Sequence, residues 1–295
     1  MVGATGTIGK ATLLELLLRG HDVFCFGRAQ GNVTDIKSIE RDGFRGEKFD
    51  AVVSCMASRT GTAADAWAID HKANLLVLEA AKKHGVKHFV LLSAVCVQKP
   101  KLAFQHAKLA FEQALVVSGL IYSIVRPTAY FKSLSGQVAR VQKGKAFMVF
   151  GDGQLTSCKP ISDFDLARFI ANCLEDKKLQ NAILPIGGPG PAMTPMEHGE
   201  ALFQMLGKPA KFRKVPVALL DGIIFVLSKL GFKDKAELAR IGRYYATESM
   251  LVWNADMQRY DADATPSFGS DTLQKFHAQL IAGEASVDLG EHAVF

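Results

Sequence analysis

Gly3, Gly6 and Gly9 recur every third residue in the run Val2-Gly3-Ala4-Thr5-Gly6-Thr7-Ile8-Gly9-Lys10, and a helical pattern follows at once. In such a loop the first glycine permits a tight turn and the second lets the backbone approach a pyrophosphate. The third lets helix and sheet pack closely. The helix start adds outward N–H groups and the positive end of a dipole. Thr5, Thr7 and Ile8 belong to the same phosphate-facing backbone. The next apolar run ends at Gly27-Arg28. An acid there would bind a ribose 2′-hydroxyl, whereas a guanidinium suits a 2′-phosphate. These residues read as a dinucleotide site, with Arg28 favouring NADPH over NADH.

A second constellation lies further on. Ser93 ends an apolar run, and Phe104-Gln105-His106-Ala107-Lys108 follows on a helical stretch. Positions 104 and 108 are one turn apart on one helix face. The spacing resembles the Tyr-x-x-x-Lys pair of short-chain dehydrogenases, in which tyrosine gives a proton and lysine holds the nicotinamide ribose. Phe104 stands at the tyrosine position and cannot transfer a proton. Ordinary alcohol chemistry is therefore not expected, and Lys108 with Ser93 remains as the candidate catalytic pair. His106 reads as a helix-surface residue. After the next apolar run comes Arg126-Pro127-Thr128; in short-chain dehydrogenases the turn at this place shapes the nicotinamide pocket, so the resemblance implies backbone contacts from Pro127 and Thr128.

The elements that must position these groups alternate. His21–Phe26, Asp50–Cys55, His88–Ser93 and Leu120–Val125 are near-continuous apolar runs, as expected for strands of a parallel sheet covered on both faces. Helical patterns occupy 10–19, 64–84 and 101–118. The fold class is α/β, a doubly wound Rossmann-like parallel sheet. Residues 1–150 form the NADPH-binding domain in this reading. Residues 151–295 form a smaller, mostly helical substrate-side region interleaved with it. Ser162 and the Thr194-Pro195-Met196-Glu197 sequence mark helix starts. Two features depart from the pattern. The first strand is truncated, because the glycine loop begins at residue 3. Only Ala29 and Gln30 separate Arg28 from Gly31-Asn32-Val33, too few for a crossover to a parallel strand. Either that crossover is missing or Asn32-Val33 is not the third strand.

Composition narrows the function classes. The 295 residues are 48% hydrophobic and 22% charged, with a net charge of +6. That composition builds a core and excludes wholesale disorder. The lysines are scattered, so no nucleic-acid partner is expected. Five cysteines, none in a C-x-x-C pair, indicate a reducing compartment without disulfides, zinc or iron–sulfur clusters. No secretory signal is expected ahead of the glycine loop. Val215–Phe232 is apolar but contains Asp221 and Lys229. It reads as an amphipathic or substrate-covering helix rather than a span.

Longer segments carry a more specific resemblance. Val53–Arg59, Ser93–Pro100, Ser123–Leu134, Phe150–Gly153, Cys158–Ser162 and Gly290–Phe295 resemble the NADPH-dependent divinyl chlorophyllide 8-vinyl-reductases, atypical short-chain dehydrogenase/reductases. The resemblance implies reduction of an 8-vinyl group of divinyl chlorophyllide or protochlorophyllide to ethyl. It adds Ala57 to the cofactor contacts and Tyr130, Phe131 and Lys132 to the substrate contacts. It also implies a flat apolar tetrapyrrole substrate, which the positive charge and the 217–232 segment would suit. Peripheral membrane association is a further expectation, with a plastid location in a eukaryote and a cytoplasmic one in a bacterium. Oligomeric state is left open. The unrelated ferredoxin-dependent class does not fit the cysteine spacing. The competing function is a non-catalytic NADPH-binding sensor or assembly factor. Family members carry the first strand and a longer stretch after the second, both absent here.

Overall fold

The computed structural model describes residues 1–286, so Gly290–Phe295 lies outside the described residues. The chain forms two compact units. The first joins Met1–Pro127 to Asp163–Ile186, and the second joins Thr128–Ser162 to the chain from Gly187 onward. The first passage between them falls after Pro127 rather than near residue 150.

In the first unit, parallel strands β1 (Ala51–Ser54), β2 (His88–Leu92), β3 (Ile121–Pro127) and β5 (Ala182–Ile186) stand side by side in that order. Val2 extends the sheet as a single bridging residue between Ser54 and Phe26, parallel to both. The β2 residues alternate between faces. Phe89 and Leu91 meet Val77, Leu78, Phe111 and Leu115 of helices α4 (Asn74–Lys83) and α5 (Ala103–Val116). Val90, fully buried, faces the opposite side. There α7 (Asp163–Glu175) crosses β2 and β3 and packs along α1 (Thr7–Leu18). The sheet is thus covered on both faces.

At the sheet edge one expectation is corrected and one open alternative is decided. His21–Phe26 does not form a strand. Only Phe26 bridges, because the strand position beside it holds little more than Val2. Its remaining links are Met1 amino to Phe24 carbonyl, 2.6 Å, and Phe26 N–H to Met1 carbonyl, 2.9 Å. Asn32-Val33 is not a third strand either. It lies in the loop before the short helix α2 (Ile36–Ser38) and a π-helical turn, Ile39–Phe44. Among the described residues no strand lies between Phe26 and β1. Aromatic rings cover the edge instead. Phe49 packs against Phe24 (6.2 Å between ring centroids) and Phe44 (5.8 Å), and the Arg45 guanidinium lies 3.8 Å over Phe24. An unpaired edge covered in this way is closed to further strand addition.

The 64–84 helix is continuous but not uniform. It begins as α3 (Ala63–Ala66), widens into a π-helical turn at Trp67–Ala73, and returns to α-helix as α4.

The second unit is mostly helical: α6 (Val138–Gln142), α8 (Pro195–Met205), α9 (Val217–Lys229), α10 (Lys233–Thr247) and α11 (Leu273–Ala282). Two small sheets join them. β4 (Phe147–Phe150) pairs in parallel with β6 (Phe212–Val215), and β7 (Val252–Asn254) pairs antiparallel with β8 (Arg259–Asp261). Thr194 caps α8 through a reciprocal box with Glu197, and Pro195 occupies the first turn. Val141, Phe147, Val149, Leu202 and Phe203 form the core of this unit.

That core includes a buried histidine pair. The His198 and His277 rings stack at 5.1 Å. Burial holds His198 down to about 3 and His277 to about 4, both from a usual 6.5. Both rings are neutral in the native state. In the unfolded chain they take up protons below about pH 6.5, so the unfolded state binds more protons and native stability falls as pH drops. Native stability therefore falls between about pH 6.5 and pH 4, as the two unfolded-state imidazoles take up protons that the buried rings do not. Urea unfolding across that range should show a flatter pH slope for His198→Leu than for the parent; identical slopes would refute this origin.

Candidate functional site

The glycine loop follows Val2 at the C-terminal end of its strand position, where parallel sheets of this type bind ligands. Each glycine has its own reason. Gly3 has φ +77°, and a Cβ there would lie 2.4 Å from the Cys55 carbonyl carbon. A Cβ on Gly9 would come within 2.0 Å of the Gly3 carbonyl oxygen, so α1 rests directly on the loop. Gly6 differs, because a Cβ there would meet only the Gly3 oxygen, at 3.7 Å. The protein leaves that space open. Thr5, Gly6 and Thr7 are exposed, and Ile8 is buried and contributes backbone alone. Gly6 caps α1, whose first turn carries no acid to compete with an anion.

Arg28 sits two residues beyond Phe26, the neighbour of Val2, in a turn closed by Gly31 N–H to Gly27 carbonyl at 2.9 Å. It is exposed, and among the described residues its guanidinium pairs with no other side chain. Ala57, just beyond β1, is exposed as well.

Lys108 is not a surface lysine. Its side chain is largely buried, and Nζ donates to Asp70 Oδ1 at 2.9 Å. Asp70 is itself buried and lies in the π-helical turn. Its Oδ1 also accepts the Ser58 N–H, while Oδ2 has no hydrogen-bond partner among the described residues. Asp70, Lys108, Ser93 and Met56 line one narrow recess. The carboxylate anchors the ammonium in a place where an unpaired charge would be costly. Phe104 is buried one turn before Lys108, and His106 is exposed on the helix surface.

Ser93 is buried, and its hydroxyl donates to Glu112 Oε1 at 2.5 Å. Glu112 is in turn paired with Arg126. The hydroxyl proton is thus committed to a buried network linking the end of β2, α5 and β3. Burial also pushes the Cys55 thiol up to about 12, so it stays protonated and is no nucleophile.

Pro127 ends β3 in the first unit and is buried. Thr128 begins the second unit. Its hydroxyl donates to the Lys159 carbonyl, which leaves its backbone as the available part. Tyr130 and Lys132 are partly exposed. Phe131 is a correction to the expected substrate contacts. It is 3% exposed and packs against Phe276 at 5.7 Å, so it serves as core. The 217–232 segment is exposed for most of its length. It forms α9, and none of its helical residues is buried.

Sequence reasoning missed Asp70, Glu112 and Arg126. A signal for Asp70 was present. It falls on the stripe of Ala66, Ala73, Val77 and Ala80, all buried, so a carboxylate stands where an apolar residue is expected.

The model of the NAD(P)H-binding family matches residues 3–177. A chloroplastic divinyl chlorophyllide a 8-vinyl-reductase of Oryza sativa subsp. indica is 46% identical, over all of this chain and 81% of its own length. That alignment spans 329 positions against 295 residues here, so the relative carries internal residues that this chain lacks. The photosystem II assembly factor Ycf39 of Synechocystis is 24% identical over 75% of this chain and 71% of its own. Among solved structures, the NADPH complex of the Escherichia coli quinone oxidoreductase QOR2 superposes with a TM-score of 0.70 at 17% identity, covering 95% of this chain and 98% of its own. At that identity the likeness concerns the fold.

The loop geometry separates two roles for glycine. Gly6→Ala should leave unfolding stability within about 0.5 kcal/mol but weaken cofactor binding roughly tenfold or more, by filling the phosphate approach. Gly9→Ala should destabilise the protein by about 1–3 kcal/mol through its clash with Gly3. Chemical unfolding and fluorescence titration with NADPH distinguish them; equal behaviour of the two variants would contradict the assignment.

Proposed function

The chain belongs to the divinyl chlorophyllide a 8-vinyl-reductase family, and we propose on that premise how its own residues carry the reaction. The protein is an NAD(P)H-dependent oxidoreductase of chlorophyll biosynthesis. It reduces the 8-vinyl group of a divinyl chlorophyllide or protochlorophyllide to ethyl. In a eukaryotic source it acts in the plastid, as its chloroplastic relatives do.

The residues present fit a dinucleotide. The open space at Gly6, the acid-free start of α1 and the unpaired Arg28 form a cradle for phosphates. Arg28 favours NADPH, because a guanidinium at that strand end meets a 2′-phosphate. When bound, the cofactor supplies a hydride for the vinyl carbon. A proton from the solvent side completes the ethyl group.

The protein's part is orientation and electrostatics. The single observation that carries this reading is the buried Lys108–Asp70 pair beside Ser93. Held by Asp70, the Lys108 ammonium would hold the nicotinamide ribose and pass a proton through water. Ser93 is a positioning residue, fixed through Glu112 and Arg126. Phe104 has no proton to give, and a C=C bond yields no alkoxide that needs one. Pro127 and Thr128 border the nicotinamide through backbone, and Tyr130 and Lys132 are the remaining substrate contacts. A tetrapyrrole is apolar enough to partition into lipid, so the reading carries peripheral membrane association with it.

Incubation with divinyl chlorophyllide and NADPH should shift the Soret band to the blue. Tight NADPH binding with no spectral change would favour the assembly-factor role of the Ycf39 type. Lys108→Ala should lower turnover at saturating NADPH roughly tenfold or more; near-parental turnover would remove its role. Arg28→Ala should raise the KM for NADPH about tenfold while leaving that for NADH nearly unchanged, and an equal effect on both would argue against 2′-phosphate recognition.

A further inference from the structure

Helix α9 exposes more apolar surface than a water-exposed element needs. Leu219, Ile223, Val226 and Leu230 follow a spacing of four, three and four, so they form one stripe along the helix. Each is between 41% and 65% exposed. The polar residues of α9 are used on the side facing α10. Asp221 pairs with Arg243, and the Ser228 hydroxyl accepts from Arg240 Nη2 at 3.1 Å. A surface helix normally carries one apolar stripe and buries it; here Leu220, Ile224 and Leu227 form a second, partly buried row, and the first is left exposed.

The sequence on either side of this stripe is strongly basic. Between Lys208 and Arg243 the sequence holds nine Lys or Arg and three Asp or Glu, an excess equal to the +6 of the entire chain. Two of these cations lie close to aromatic rings: Lys229 Nζ is 5.8 Å from the Phe225 centroid, and Lys235 Nζ is 5.2 Å from that of Phe232. Lysines whose stems lie along apolar surface while their ammonium groups reach outward match the interface between acyl chains and headgroups.

We propose that α9 and its basic surround are a docking surface for an anionic lipid bilayer, the apolar stripe entering the acyl boundary and the lysines meeting the headgroups. The geometry disfavours other occupants. A second copy would bring the same positive excess against itself. A small apolar ligand seeks a concave site, whereas the stripe runs along a convex helix about 20 Å long. Among the described residues no helix is long and apolar enough to cross a membrane, so the contact is peripheral. The inference is drawn from the α9 stripe and its charge, and it gives a surface to the peripheral membrane association that the proposed function carries.

Co-sedimentation of the full chain with vesicles tests it without substrate. The protein should bind phosphatidylcholine–phosphatidylglycerol vesicles at least about tenfold more strongly than phosphatidylcholine alone, and salt should weaken that binding. Combining Ile223→Ser, Val226→Ser and Leu230→Ser should lower binding at least about tenfold. The circular dichroism spectrum and turnover of detergent-dispersed substrate should not change. Combining Lys229→Gln, Lys233→Gln and Lys235→Gln should remove the preference for anionic vesicles. Parent protein that stays in the supernatant with both vesicles overturns the proposal, as does a serine variant that sediments like the parent. A parent dimer that the serine variant converts to monomer would assign the stripe to self-association. Lost turnover without vesicles would assign it to the substrate site. Either result would refute lipid docking.

Discussion

The first unit depends on the absence of a side chain at Gly3. Its backbone lies against the carbonyl of Cys55, and Gly9 lies against Gly3 in turn. Strand end, loop and helix start are thereby stacked through backbone alone. That close stacking aims the N-terminus of α1 across the ends of the strands, and it sets Phe26 and Arg28 on one side of the loop with β1 on the other. A methyl group at either glycine would push the layers apart.

Chemistry is added to this frame by charges placed in apolar surroundings. Asp70 and Lys108 hold each other, as do Glu112 and Arg126. Neither pair needs to add net stability. A buried pair is costly to break because the remaining charge is left without a partner, and that cost fixes each group in place. The π-helical turn at Trp67–Ala73 carries Asp70, and such turns recur at functional positions. The widened turn brings a helical carboxylate to the lysine of a neighbouring helix.

What could be read from the sequence was local. The glycine spacing, the three apolar runs that became β1, β2 and β3, and the Thr194 capping box are each signalled by residues within a short stretch of chain. Failures arose where distant partners decide. His21–Phe26 has the composition of a buried strand, but a strand exists only where a neighbouring backbone runs beside it, and here Val2 alone does. Phe131 was expected among the substrate contacts from the resemblance alone, yet Phe276, far along the chain, draws it into a core. Ser93 and Lys108 were legible as candidates. Their partners Glu112 and Asp70 were not, since no short-range spacing links residue 70 to 108.

Phe104 has a consequence for selectivity. A dehydrogenase tyrosine works in both directions: it protonates a forming alkoxide, and as phenolate it accepts a proton from an alcohol. A phenyl ring does neither. A protein with a competent nicotinamide site and no such acid would leave the ketones, sugars and alcohols of its surroundings untouched, however well they diffuse in. Reducing equivalents bound there would be spent only on a bond that accepts hydride without help from an oxygen acid. Discrimination of this kind comes from a missing function and requires no fine sieve around the substrate.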